Sequence, residues 1–367
     1  MSARETEHEH NRPATPLETD SGPSSLGDDA DSAISDIKST GRTESLASSA
    51  YAYQFKDGRR YHGYDAGVYM LPNDEAEQDR LDLQHHVFRI SVDGKLFLAP
   101  IPKDVQSVLD VGCGTGIWTI EFADDYPNAS VLGVDLSPIQ PAYVPVNCSF
   151  RVDNVETDWV HEETYDFIHS RAMVAALKDW PGFIQQAFDH LNPGGYLEMQ
   201  DVSFPTGCNN PEDEAISRVR DYGDVMLEAG KRIGLDFEAP EKWREWLEAA
   251  GFVDIHMKWV NWPIGPWAKH QKNKILGRFT YLDFYDAIEA AGPLVIAALG
   301  KTQEEVQTLI DDSRAEFKAQ KIRLYQRVCF CYARKPENTQ EEEVPSVIDV
   351  EAENKQIADL EAAKATT

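Results

Sequence analysis

The chain has 367 residues, with 42% hydrophobic and 10% aromatic side chains, a composition typical of a soluble globular protein rather than of a disordered or fibrous one. Its formal net charge of −28 disfavours tight direct binding of nucleic acid, and no apolar run approaches the ~20 residues of a membrane-spanning helix. Five cysteines with scattered spacing predict reduced thiols in the cytosol or nucleus, and the N-terminus lacks the apolar run of a secretory signal.

The two ends of the chain differ in composition from the middle. Residues 1–50 carry a net charge of −6 and residues 337–367 carry −7, which leaves −15 on residues 51–336. The ends have few large apolar side chains, so burial cannot offset the entropy of ordering them. We therefore expect a folded domain at 51–336 between two disordered acidic tails.

The first predicted elements alternate between apolar strands and amphipathic helices. A helix is expected after Asp74, with Asp74 as N-cap and Glu77 completing a capping box. Strands are then expected at residues 107–111, 130–135, 148–152, 165–169 and 196–200, and intervening helices at 117–126 and through 183–191. This alternation predicts a parallel α/β sheet.

The second half of the domain adds helices around residues 213–229 and 240–250 and a strand at 252–257. About sixty-five mostly helical residues separate that strand from a last one at 325–332. Such an insertion is too long for a plain connector, so we expect it to cap the substrate side. The predicted fold class is α/β, a Rossmann-like, mostly parallel sheet of seven strands with a helical cap insertion.

The turn after the first strand is rich in glycine. Residues 112–116 read GCGTG, and such a turn lets the backbone approach a ligand closely because no Cβ intervenes. A dinucleotide-binding turn would have a third glycine where Ile117 stands, and no Gly-Lys-Ser/Thr follows as in a Walker loop. The turn therefore disfavours a pyrophosphate ligand.

Carboxylates stand at the ends of the neighbouring strands. Asp135 ends the second strand, nineteen residues beyond Gly116, where a carboxylate can accept hydrogen bonds from both hydroxyls of a ribose. Asp153 and Asn154 follow the third strand and can receive an adenine amino group, and Asp110 ends the first strand beneath the ligand. Each acid alone could be a solvated strand end, but the set favours an adenosine with a cationic group such as a sulfonium.

Several short segments accompany this turn and these acids. They are GRRYHGY at 58–64, YMLPNDE at 69–75, QDRLD at 78–82, DVGCGTGIW at 110–118, GVDLSPIQP at 133–141, DFIH at 166–169, PGG at 193–195 and YARKP at 332–336. Together they resemble the class I S-adenosylmethionine-dependent methyltransferases, and more narrowly the fungal LaeA-like methyltransferases, over about residues 51–336.

The resemblance implies methyl transfer from S-adenosylmethionine to an oxygen or nitrogen acceptor in fungal secondary metabolism. The donor would be held by the acids and by Gly112, Cys113, Gly114 and Gly116. The alternative is a LaeA-like nuclear regulator of secondary metabolism or development that acts through protein partners. We accordingly expect an N-terminal lid and helix at 51–100, a cofactor-binding core at 101–205, and substrate-side helices with closing strands at 206–336.

Candidates for acceptor binding follow the fourth and fifth strands, because ligands bind beyond the carboxyl ends of parallel strands. His169 could be a general base or a structural histidine, and Arg171 could hold an acidic acceptor or pair with a neighbouring carboxylate. Gln200 could line the same pocket, and Trp267 could form an apolar acceptor wall or belong to the core of the cap. Tyr64 could belong to an aromatic lid over the donor or to a surface hairpin. No spacing of histidines, cysteines or carboxylates suggests a metal.

Overall fold

The computed structural model describes residues 53–56, 58–64, 69–160 and 163–337. The predicted tail at 1–50 and all but the first residue of the tail at 337–367 lie outside these residues, so both tails stay predictions. Within the described residues, no helix is both long and apolar enough to span a membrane.

A short hairpin and a helix precede the main sheet: β1 (Gln54–Lys56), β2 (Arg59–Tyr61) and α1 (Glu75–Ser91). Asp74 is the N-cap of α1 as predicted, because its carboxylate accepts a hydrogen bond from the backbone N–H of Glu77 at 3.1 Å. The predicted capping box is wrong, because the Glu77 carboxylate turns inward and pairs with Arg80 at 2.6 Å.

Seven strands form the main sheet: β3 (Ser107–Val111), β4 (Ser130–Asp135), β5 (Cys148–Val152), β6 (Tyr165–Arg171), β7 (Leu191–Cys208), β8 (Val253–Ile264) and β9 (Leu324–Arg334). Their spatial order is β5-β4-β3-β6-β7-β9-β8. β9 is antiparallel to both of its neighbours, whereas the other neighbouring pairs are parallel. The predicted α/β class with a mostly parallel sheet of seven strands is confirmed.

The helices after α1 are α2 (Ile117–Asp125), α3 (Trp180–His190), α4 (Arg218–Ile233), α5 (Trp243–Ala250), α6 (Gln271–Ala290), α7 (Gly292–Leu299) and α8 (Gln303–Ala319). Short 3-10 turns lie at Pro211–Ile216 and Ala239–Glu241. The helix predicted around 213–229 is therefore two elements, because Ser217 is extended and its hydroxyl caps the N–H of Arg220 at the start of α4. The insertion between β8 and β9 consists of α6, α7 and α8.

Large aromatic side chains hold the first helices on the sheet. Trp118 of α2 stacks on Phe122 at 5.0 Å and lies 6.2 Å from Phe167 of β6. Phe88 of α1 meets Trp262 of β8 edge-on at 4.7 Å. Burying one such ring stabilises the fold by roughly 1.5–3 kcal/mol. These contacts therefore anchor α1 to the sheet, although α1 precedes its first strand in the chain.

Candidate functional site

The glycine-rich turn joins β3 to α2. The three glycines of residues 112–116 have φ between 56° and 80°. Residues with a Cβ rarely adopt this backbone conformation. The N–H groups of Gly112 and Cys113 both donate to the carbonyl of Val134 on the neighbouring strand, at 2.8 and 3.0 Å. A Cβ at Gly114 would meet a neighbour only at ordinary contact distance, so the backbone there is accessible to a ligand.

Asp135 ends β4 beside this turn. Its carboxylate accepts hydrogen bonds from the N–H of Gly114 at 2.9 Å and from the N–H of Ser137 at 2.8 Å. Burial raises the pKa of Asp135 to about 6, although these two hydrogen bonds oppose the increase. Each carboxylate oxygen has further acceptor capacity, so the group can accept hydroxyl protons from a ligand as well.

A first cavity, of about 840 Å³, opens where these strand ends meet. Its wall includes the predicted residues Gly112, Gly114, Asp135, Asp153, Asn154 and Arg171, together with Tyr69, Leu81, Ser137 and Ala172. The Asp153 carboxylate accepts the N–H of Asn154 at 2.8 Å, and the Asn154 side chain accepts the N–H of Glu156 at 3.0 Å. The loop after β5 thus holds its own polar side chains at the cavity wall.

A small cavity of about 400 Å³ lies between the turn and α1, and Asp110 and His169 are part of its wall. The carboxylate of Asp110 binds Nδ1 of His169 at 2.8 Å and the hydroxyl of Thr119 at 2.6 Å. The imidazole of His169 stacks on Trp118 at 3.8 Å, with only 2° between the ring planes. Burial lowers the pKa of His169, so the ring is neutral and its Nε2 is a buried atom without a hydrogen-bond partner among the described residues.

Cys113 and Gly116, both predicted to hold the donor, do not line the first cavity. Cys113 lines the small cavity, and burial raises the pKa of its thiol. Gly116 caps α2 with a φ of 80°, and a Cβ there would meet the ring of Phe150 at 2.5 Å. The positive φ of Gly116 thus allows the conformation of the turn, and donor binding by Cys113 and Gly116 stays a prediction.

A second cavity, of about 1000 Å³, adjoins the first and shares Tyr69, Leu81 and Ala172 with it. Its wall is mostly apolar and includes Leu71, Val174, Val202, Phe204, Val219, Tyr222, Met226, Phe237, Phe284, Ala287, Ile288 and Leu294. Four of these side chains come from α6 and α7, so the insertion lines this cavity.

One end of the second cavity is polar. Arg80 of α1 pairs with Glu77 at 2.6 Å and with Asp283 of α6 at 2.6 Å, and all three side chains are buried. One guanidinium faces two carboxylates, so the cluster keeps one negative charge, and burial raises the pKa of Asp283. A buried excess carboxylate favours a ligand that brings a hydrogen-bond donor or a positive charge.

Asp201 of β7 is a polar residue of the second cavity that the sequence analysis missed. Its carboxylate accepts the N–H groups of Met173 and Val174. These bonds fix the turn after β6, in which Ala172 adopts a φ of 57°. Burial raises the pKa of Asp201 to about 7.

Gln200 lies on the opposite face of β7, because successive side chains of a strand alternate. Its amide donates to the carbonyl of Leu96 at 3.2 Å and to Glu198 at 2.8 Å, and Glu198 accepts the N–H groups of Leu98 and Ala99. Gln200 lines none of the three cavities, whereas Asp201, Val202, Phe204 and Thr206 of the same strand line the second one.

Trp267 and Tyr64 also lie outside the walls of these cavities. Trp267 is 5% exposed and its indole N–H donates to the carbonyl of Leu324 at 2.9 Å, which places it in the core. The backbone carbonyl of Tyr64 is hydrogen-bonded to Nδ1 of His62 at 2.7 Å. Tyr69 is the aromatic residue of this segment that lines the first and second cavities.

Comparison with known proteins gives consistent matches. The methyltransferase domain family matches residues 83–257. Methyltransferase pytC of Aspergillus terreus is 41% identical over 277 residues, which are 74% of this chain and 85% of that protein. Secondary metabolism regulator LAE1 of Cochliobolus heterostrophus is 34% identical over 290 residues, which are 77% of this chain and 94% of that protein.

A solved structure with S-adenosyl-L-methionine, phosphoethanolamine N-methyltransferase 2 of Haemonchus contortus, is more distant. It has 16% identity and a TM-score of 0.37, and the match covers 71% of this chain and 52% of that one.

Proposed function

We propose that this chain, which belongs to the S-adenosylmethionine-dependent methyltransferases and is similar to pytC and to LaeA-like regulators, methylates an oxygen or nitrogen of a small, largely apolar molecule. The observation that carries the proposal is the second cavity, which is mostly apolar and adjoins the first. The acceptor would belong to fungal secondary metabolism, because secondary metabolism regulators are among the relatives.

The residues of the first cavity fit the donor group by group. S-adenosylmethionine supplies a methyl group activated by its sulfonium. Asp135 would accept the ribose hydroxyls, and Asp153 with Asn154 would receive the adenine amino group. Gly112 and Gly114 line this cavity, and the space beside the Cα of Gly114 would permit a close approach of the donor.

The second cavity fits the acceptor. Its apolar wall would hold the body of the molecule, and the carboxylate of Asp283 at its polar end would accept an N–H or O–H group. The shared residues Tyr69, Leu81 and Ala172 mark the point at which the acceptor atom would face the methyl group. Holding both molecules in line would supply much of the rate.

His169 stays a candidate general base. Its Nδ1 proton is directed at Asp110, which leaves Nε2 as the proton acceptor. However, it lines the small cavity and not the second one. We therefore propose that the main role of His169 is to orient Asp110, next to the glycine-rich turn.

A protein acceptor or partner is the second candidate, because a secondary metabolism regulator is among the relatives. The apolar wall favours a small molecule over a protein surface.

We further propose that the protein acts in the cytoplasm or nucleus and does not bind nucleic acid or membranes directly. Its five cysteines are all buried, and we propose that they stay reduced.

The test is to follow a labelled methyl group from S-adenosylmethionine in extracts of the source organism. We expect label in the organic-soluble small-molecule fraction, identified by mass analysis. Ala287→Trp, which fills the second cavity from α6, should abolish that label.

Leu282→Trp is the matched control, because Leu282 lies on the same helix but is 42% exposed. It should leave the labelled product unchanged. Label found only in the protein fraction, in amounts that Ala287→Trp does not alter, would overturn the small-molecule proposal in favour of a protein acceptor.

A further inference from the structure

Arg171 lines both the first cavity and the small cavity. Its side chain lies over the ring of Phe88 at 5.0 Å and donates a hydrogen bond to Nδ1 of His85 at 3.0 Å. Among the described residues, no carboxylate lies within ion-pair distance of it. Arg171 is therefore a cation in a cavity wall with only neutral partners.

His85 is buried and fixed between two charged neighbours. An arginine can only donate, so Nδ1 of His85 must be the acceptor and its proton must lie on Nε2, which donates to Glu121 at 3.0 Å. Burial and the charge of Arg171 lower the pKa of His85 to about 2, so the ring is neutral. Glu121 is in turn paired with Arg89 at 2.6 Å.

Carboxylates whose charge acts on Arg171 form hydrogen bonds with other residues. Asp110 binds His169 and Thr119, and Asp82 accepts the hydroxyl of Thr115 at 2.6 Å. Burial lowers the pKa of Arg171 to about 10, so it stays charged at neutral pH. A buried charge without a direct ion pair costs free energy, although Asp110, Glu121 and Asp82 act on it from a distance, and an anionic ligand in contact with it would offset that cost.

We propose that Arg171 binds the carboxylate of the methionine part of the donor and that His85 is the positioning residue that aims its guanidinium. This inference rests on the proposed function, because S-adenosylmethionine carries one anionic group, that carboxylate. It revises the expectation that Arg171 holds an acidic acceptor, since Arg171 does not line the second cavity.

The test compares two ligands on the full-length protein by calorimetric titration. S-adenosylmethionine carries the carboxylate, whereas decarboxylated S-adenosylmethionine keeps the adenosine, the sulfonium and the amine. We expect the wild type to bind the decarboxylated ligand about tenfold to a hundredfold more weakly, the scale of a lost charge-assisted pair. This arm requires no variant and therefore no assumption about folding.

Arg171→Met should lower affinity for S-adenosylmethionine by the same factor and leave affinity for the decarboxylated ligand unchanged. His85→Phe should produce a smaller loss with the same selectivity, and His85→Gln, which keeps an acceptor for Arg171, should restore part of it. Arg327→Met, which removes a surface charge paired with Glu241, should change neither affinity.

Equal binding of the two ligands by the wild type would overturn the assignment of Arg171, as would an equal loss of both ligands in Arg171→Met. Failure of the wild type to bind S-adenosylmethionine at all would instead contradict the proposed function.

Discussion

At the scale of single residues, Asp135 connects the turn to the ligand site. Its position at the end of β4 follows from the apolar run before it, and the sequence was sufficient to nominate it. Its two backbone donors and its raised pKa depend on how the turn folds back over β4. A carboxylate with a pKa of about 6 gains and loses its charge within the pH range in which proteins are assayed.

Donor affinity should therefore depend on pH through Asp135. The folded pKa lies above the ordinary value of 3.8, so the ionised, stronger acceptor predominates above about pH 6 and is lost as the pH falls through it. Calorimetric titrations between about pH 5 and pH 8 should show affinity falling below about pH 6.

Asp135→Asn is the matched comparison, because it removes the titration while keeping the shape of the side chain. It should bind more weakly at neutral pH, by roughly 1.5–3 kcal/mol, and should lack the step near pH 6. A wild-type affinity that is constant across this range would contradict a role for Asp135 in holding the ribose.

The strand ends of β4 and β5 were predictable because an apolar run fixes where a strand stops. Which polar residue of β7 lines the second cavity was not predictable, because Gln200 and Asp201 are adjacent and differ only in the face of the strand on which they lie. Arg171 was nominated for the site, but its bond to His85 joins positions 86 residues apart, a pairing that no local pattern reveals.

At the scale of elements, the cap is joined to the N-terminal helix by a buried ion pair. Arg80 of α1 and Asp283 of α6 are 203 residues apart in sequence and meet at 2.6 Å. Both line the second cavity, so this link holds two of its walls together.

Asp283→Ala should lower the free energy of unfolding by roughly 1–3 kcal/mol, because it removes the buried carboxylate that accepts hydrogen bonds from Arg80 and Gln84 and so breaks the link between α1 and α6. Chemical denaturation would measure the change. Asp286→Ala, on an exposed position of the same helix, should stay within about 0.5 kcal/mol of the wild type. Equal effects of the two substitutions would show that the α1–α6 link does not hold the cap.

The elements themselves were largely predictable, and β3, β4 and β5 begin and end at the predicted residues. β7 and β8 are longer than predicted because each pairs with β9 over most of its length, and pairing with a distant strand leaves no local signal. The capping box failed for a similar reason, since Glu77 binds Arg80 in the interior rather than the N-cap backbone.

At the scale of the whole molecule, the proposed site consists of two cavities whose walls come from distant parts of the chain. The first is built from the ends of β3, β4, β5 and β6, and the second adds β7, α4 and the cap helices. The net charge of −28 suits a cationic donor, because the field of an acidic protein attracts it and repels phosphate-rich ligands. The sequence predicted the first cavity through its motif, whereas the second has no motif because apolar side chains from many elements form it.

The division into a donor cavity and an acceptor cavity is tested most directly by titrating three full-length proteins with S-adenosylmethionine in a calorimeter. Ala176 lines the first cavity and Ala287 lines the second, so a tryptophan at either position fills one cavity and leaves the other open. We predict that Ala176→Trp loses donor binding and that Ala287→Trp binds the donor as the wild type does. Loss of binding in Ala287→Trp with binding retained in Ala176→Trp would contradict the account.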